Sequence, residues 1–141
     1  MKKTTLVFII FLLLLLTSCS GVTRELTPEV VSFEGGSYTN ITPAQLEKEL
    51  EEGDFLLLNV FGPIDQEIPG TDLTILHNEI QTYEDLLPAD KNERIIVYCR
   101  SGNKSDYAAK TLVLLGYTDV WNLDGGFTAW QQAGYPMVAS P

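Results

Sequence analysis

The chain predicts an α/β fold: one domain built on a parallel β-sheet with helices on both faces. Three observations carry this. Segments of strand composition alternate with segments of helical spacing from Thr42 onward, the order expected of parallel strands joined by crossover helices. Phe55-Leu56-Leu57-Leu58-Asn59-Val60-Phe61 is a nearly continuous apolar run, as a central strand covered on both faces must be. Arg94-Ile95-Ile96-Val97-Tyr98 is a second β-branched and aromatic run, and it leads into Cys99, a small polar loop and a helical segment.

The elements follow in order. Met1-Lys2-Lys3 and the apolar run Leu6 to Leu16 form the positive and hydrophobic regions of a signal peptide, too short for a comfortable membrane span. Leu16-Thr17-Ser18-Cys19 resembles a bacterial lipobox, which implies lipidation of Cys19 as the new N-terminus. Residues 1–18 are therefore read as a lipoprotein signal peptide. Residues 19–37 are polar, with Gly21, Pro28, Gly35 and Gly36 and no clear period, and are read as a flexible tether. The domain proper is expected over residues 38–141.

Thr42-Pro43-Ala44-Gln45 has the form of a capping box with proline at the first helical position. Its helix runs through Leu46 and Leu50 and ends at Gly53. After the 55–61 strand, Gly62 to Asp72 holds Pro63, Pro69 and Gly70 and is expected to be loop. Leu73 to Leu76 suits a short strand. Asn78 is placed to cap a helix over 79–87, stopped by Pro88. The strand before Cys99 comes next, then a helix over 104–115 closed by Gly116. A strand over 119–122 and a helix over 127–132 complete the domain.

Cys99 sits at the exit of a buried strand and faces a helix start. Unpaired backbone N–H groups and the positive end of the helix dipole favour anions there, and lower a thiol's pKa. Arg100 and Lys104 add positive charge. The alternative is a buried, inert cysteine on a strand edge. The coincidence of polar loop, two cations and helix start weighs against it.

Cys99-Arg100-Ser101-Gly102-Asn103-Lys104-Ser105 resembles the active-site loop of rhodanese-like domains, sulfurtransferases that carry sulfur as a cysteine persulfide. Leu115-Gly116-Tyr117, Val120, Leu123-Asp124-Gly125-Gly126, Trp130, Ala133-Gly134 and Pro136 are similar to that family's C-terminal signature. The resemblance runs from about Ile41 to Val138. It implies Cys99 as nucleophile and the N–H groups of Arg100, Ser101, Gly102, Asn103, Lys104 and Ser105 as an anion cradle. It also implies Arg100 and Lys104 side chains as charge for donor binding. Gly102 permits a turn that a Cβ blocks. The Ser101 and Ser105 hydroxyls are placed to bond the sulfur, with Ser105 equally suited to cap the helix.

Protein tyrosine phosphatases carry arginine six positions after their cysteine. Here that position is Ser105, and the shorter loop has less room for a tetrahedral phosphate. The chain also departs from the rhodanese pattern. The usual Asp-Val-Arg appears as Asn59-Val60-Phe61, and Gly-His-Ile-Pro-Gly as Gln66-Glu67-Ile68-Pro69-Gly70. His77 and Trp130 are read as structural, and Asp124 as shaping a turn.

Composition narrows the function classes. Lys and Arg number 9 against 19 Asp and Glu, for a net charge of −10, which argues against a nucleic-acid partner. Any anion site must be locally positive. With Cys19 lipidated, Cys99 is the one free thiol, so an intramolecular disulfide is excluded. One histidine and one free cysteine speak against a metal site. No metal or organic cofactor is expected.

Two functions remain. One is an envelope sulfurtransferase or persulfide carrier, lipid-anchored to a membrane outside the cytoplasm, moving sulfur from a small anionic donor such as thiosulfate or a persulfide to a thiol or cyanide. The other is a rhodanese-fold module that binds an anion or protein without turnover. The lipobox makes the first prediction. Cys19→Ala should prevent lipidation and normal processing; a mutant that still labels with fatty acid and fractionates like the parent would contradict the anchor.

Overall fold

The computed structural model describes residues 27–62 and 64–141. The expected signal peptide over 1–18 and the expected lipidation of Cys19 lie outside the described residues. Strands β1 (Glu29–Phe33), β2 (Gly36–Ile41), β3 (Leu56–Asn59), β5 (Leu73–Thr74), β6 (Ile95–Tyr98) and β7 (Val120–Leu123) form a six-stranded sheet in the order β1-β2-β7-β6-β3-β5. All neighbours are parallel except β1 and β2. Helices α1 (Pro43–Glu52), α2 (Asn103–Leu114) and α3 (Gly126–Gln132) supply the layers. A small antiparallel pair joins β4 (Gln66–Glu67) to β8 (Val138–Ala139).

Helix α1 starts as its sequence predicts. Thr42 and Gln45 form the reciprocal capping box, and Gly53 closes the helix in the left-handed conformation at φ 49°. Strand β6 shows why the apolar runs are continuous. Ile95 and Val97 face one core with Leu58, Val60 and the small α2 residues Ala108 and Ala109, which let the helix lie close to the sheet. Ile96 and Tyr98 face a second core with Leu57, Ile41, Leu123, Leu46 of α1 and Trp130 of α3. The helices thus cover both faces. Trp130 is fully buried and donates Nε1–H to the carbonyl of Pro136 at 2.8 Å.

Three expectations are corrected. The expected tether over 19–37 is ordered from Glu29, where β1 and β2 pair through a two-residue turn at Glu34-Gly35. Val31 and Phe33 pack against the first core, so this segment gains from folding onto the sheet. The hairpin adds one antiparallel edge to the expected parallel sheet. Gly62 to Asp72 includes β4, whose partner β8 lies over seventy residues away and was invisible as a strand. The expected helix over 79–87 is a series of turns with one 3₁₀ turn at Glu84–Leu86. There the N–H groups of Glu79, Thr82 and Leu86 bond carbonyls three residues back, a tighter winding suited to short connectors, while Ile80 and Leu87 are buried.

The register places the functional end of the molecule. Asn59 pairs with Tyr98, and Ile41 with Leu123, so four parallel strands finish at one edge. The loops after β3, β6 and β7 therefore converge, which is where ligands bind in such sheets. Removing the largest buried side chain tests the second core. Trp130→Ala should cost about 3–5 kcal/mol in urea unfolding; a loss below 1 kcal/mol, on the order of a surface substitution, would contradict its role.

Candidate functional site

Cys99 follows β6 directly and is 1% exposed. The chain then turns sharply. Gly102 takes φ 96° at the N-terminus of α2, a conformation that disfavours any residue with a Cβ. That turn aims the Gly102 N–H at Cys99 Sγ, at 3.1 Å. Buried Ser105, one turn into α2, places Oγ 3.4 Å from the sulfur and 3.0 Å from the Gly102 carbonyl oxygen. Its single proton serves one of these at a time, and a thiolate is the stronger acceptor.

These donors set the thiol's acidity. Burial pushes the Cys99 pKa up. The Ser105 hydroxyl and the N–H groups of Ser105, Ser101 and Gly102 oppose it, and the thiol lies below its ordinary value. Arg100, Ser101, Asn103 and Lys104 are exposed. Backbone donors act at the sulfur, while the Lys104 ammonium lies over the Phe61 ring, 4.8 Å from its centroid. Ser101 contributes through its backbone N–H, and Gly102 rather than Ser105 takes the cap position.

The loop is held from behind by α3. Phe127 N–H donates to the Cys99 carbonyl at 2.9 Å, and Thr128 N–H to the Arg100 carbonyl at 3.0 Å. Gly126 makes this approach possible: a Cβ there would lie 2.2 Å from the Cys99 oxygen. Sequence reasoning quoted Gly125-Gly126 as part of a motif but did not assign this contact. A glycine pair between a strand and a helix is the signal for it, since two backbones meet where no side chain fits.

The rim departs from the family pattern in a built way. Asn59 is buried. Its Oδ1 accepts the Phe61 N–H at 3.0 Å, and its Nδ2 lies 3.4 Å from the Gly62 carbonyl. The Phe61 ring meets Phe127 edge to face at 5.9 Å. In the other altered segment, the Tyr98 hydroxyl accepts from Ile68 N–H and shares a hydrogen bond with Thr71. The His77 ring packs edge-on against Tyr107 at 5.9 Å. Tyr38 donates to Asp106, which also pairs with Lys110 and ties β2 to the first turn of α2. A surface hollow of about 520 Å³ lies at the opposite sheet end around Arg94. It is not the site, because Arg94 is already bound by Glu49, Asp119 and the Trp121 ring.

A Rhodanese-like domain model matches residues 42–133, well over half of the chain. The chain belongs to the rhodanese-like domain family. A thiosulfate sulfurtransferase GlpE from Pseudoalteromonas translucida is 30% identical over 100 residues, 69% of this chain and 92% of that protein. Another GlpE, from Pseudomonas fluorescens, is 48% identical over 52 residues, 37% of this chain and 47% of its own length. The crystal structure of a rhodanese-related protein from Thermoplasma volcanium aligns with a TM-score of 0.62 at 26% identity, over 72% of this chain and 98% of that one. The rhodanese fold of this domain, a mostly parallel sheet with three helices, matches these neighbours.

The donor geometry predicts a pH profile. The reactive form is the thiolate, so alkylation speeds up as pH rises through the thiol pKa. With the pKa lowered, the midpoint for iodoacetamide should fall below about 8.5, the unperturbed thiol value. Ser105→Ala removes a donor to the charged form and should move the midpoint upward. A parent midpoint at or above the unperturbed value would contradict the cradle.

Proposed function

We propose that this protein is a sulfurtransferase or persulfide carrier of the bacterial envelope, held to a membrane by lipid on Cys19 and acting through Cys99. The observation that carries the chemistry is the convergence of the Gly102 N–H and the Ser105 hydroxyl on one buried sulfur. Such a site stabilises a thiolate. After sulfur transfer, the same loop of N–H groups suits the terminal sulfur of a persulfide, a small anion. The relatives named thiosulfate sulfurtransferase support this class of reaction.

The cycle has two halves. Cys99 thiolate attacks the outer sulfur of thiosulfate or a persulfide, the new S–S bond forms, and sulfite or a thiolate leaves with the bonding pair. A thiol or cyanide then attacks the outer sulfur of the Cys99 persulfide and regenerates the thiolate. The residues invoked are Cys99 as nucleophile, the Arg100–Ser105 backbone as cradle, and the Arg100 and Lys104 side chains as donor-attracting charge. Neither half needs a metal or an organic cofactor.

A binding module without turnover is the second reading. The near-complete cover of Cys99 favours it, because a donor reaches the sulfur only when rim side chains shift. Mass spectrometry separates the two. Incubating residues 27–141 with thiosulfate or a low-molecular-weight persulfide should add one sulfur, about 32 Da, released by cyanide. Cys99→Ser should abolish the adduct. No adduct on the parent from either donor would overturn the sulfurtransferase reading in favour of the binding module.

A further inference from the structure

The lip of the Cys99 loop is aromatic, and the backbone N–H of each of its two residues is held beside the site. β3 ends at Asn59, paired with Tyr98, so Val60 and Phe61 leave the sheet at the same edge as Cys99 and Arg100. Val60 N–H still bonds the Tyr98 carbonyl, and Phe61 follows it at the rim of the loop. Its N–H is held by the buried Asn59 side chain. Phe127 is held by the hydrogen bond from its N–H to the Cys99 carbonyl. The two half-buried rings meet edge to face at 5.9 Å, and the Lys104 ammonium caps the Phe61 face. Phe127 also borders a surface hollow of about 370 Å³ whose lining includes Ile64 and Met137.

This lip has a chemical preference. An ammonium resting on apolar rings suits an organic anion: the cation attracts the charge and the rings take an apolar substituent. A small inorganic dianion gains nothing from the rings and must approach a chain of net charge −10. We propose that Phe61 and Phe127 form a specificity lip that selects a singly charged organic sulfur donor, a persulfide or thiosulfonate with an apolar substituent, over thiosulfate. The inference rests on the sulfurtransferase reading and names the donor class for it.

The step balances without an external oxidant. Cys99–S⁻ gives an electron pair to the outer sulfur of R–S–S⁻ or R–SO₂–S⁻. The Cys99 S–S bond forms as the donor's S–S bond breaks. R–S⁻ or R–SO₂⁻ departs with that bonding pair, leaving Cys99–S–S⁻. The outer sulfur enters the N–H cradle, while R stays outside against the two rings.

Three stable donors separate charge from apolar contact: thiosulfate, a dianion; methanethiosulfonate, a small monoanion; and benzenethiosulfonate, an aromatic monoanion. The rate of sulfur addition to Cys99 should rise in that order, with benzenethiosulfonate at least about tenfold above methanethiosulfonate, the range an apolar pocket supplies. Phe61→Leu should shrink that ratio. Phe61→Arg should shrink it further and raise thiosulfate relative to both. Ratios within one protein cancel any loss of folded material. Thiosulfate reacting as fast as benzenethiosulfonate, or ratios unmoved by both variants, would overturn the lip while leaving the sulfurtransferase reading intact. Failure of all three donors to modify Cys99 would overturn both.

Discussion

The site depends on the close approach of two backbones. The carbonyl oxygens of Cys99 and Arg100 point outward to the N–H groups of Phe127 and Thr128 at the start of α3. With its first carbonyls turned that way, the loop is free to present N–H groups to the sulfur. Gly126 is the condition for this arrangement, since a Cβ would collide with the Cys99 oxygen. Gly102 is the condition on the other side, where it turns the chain into α2 at positive φ. Two glycines from distant parts of the sequence thus decide where one cysteine's donors lie.

The sheet brings these parts together. Parallel register ends β2, β3, β6 and β7 at one edge, so the loops after β3, β6 and β7 become neighbours. The small residues Ala108 and Ala109 let α2 settle on the sheet with Ser105 turned inward beneath the sulfur. Tyr38, reaching across from β2 to Asp106, fixes the first turn of the same helix. Burial and the Asp106 carboxylate hold the Tyr38 phenol well above its usual range, so it remains a hydrogen-bond donor at any physiological pH.

Electrostatics here is local. The chain is strongly acidic, yet the sulfur is served by backbone dipoles and one hydroxyl, which carry no net charge and cost no desolvation of a full cation. Lys104 reinforces the rim instead, through the Phe61 ring. In low dielectric such oriented dipoles act strongly on a buried anion. Asn59 in place of an acid keeps the ground beneath Phe61 neutral while still satisfying the turn, by accepting one backbone N–H and approaching one carbonyl.

The sequence by itself determined the α/β class, the α1 cap at Thr42, the strands around Leu57 and Ile96, and the Cys99 loop. Each of these is written in local chemistry: capping pairs, continuous apolar runs, and glycine beside polar residues. The tertiary structure alone decided the rest. The β1–β2 hairpin forms by adding to the edge at β7, and the β4–β8 pair because distant segments meet; strands this short leave no period to read. The segment 79–87 coils as turns because burial of Ile80 and Leu87 sets its path, over any helical tendency of its residues. That the Lys104 ammonium lies over the Phe61 ring was decided by tertiary structure. The Phe61–Phe127 lip likewise arises only where β3 and β7, on either side of β6, end at one edge of the sheet, since residues 66 positions apart carry no local sign of contact.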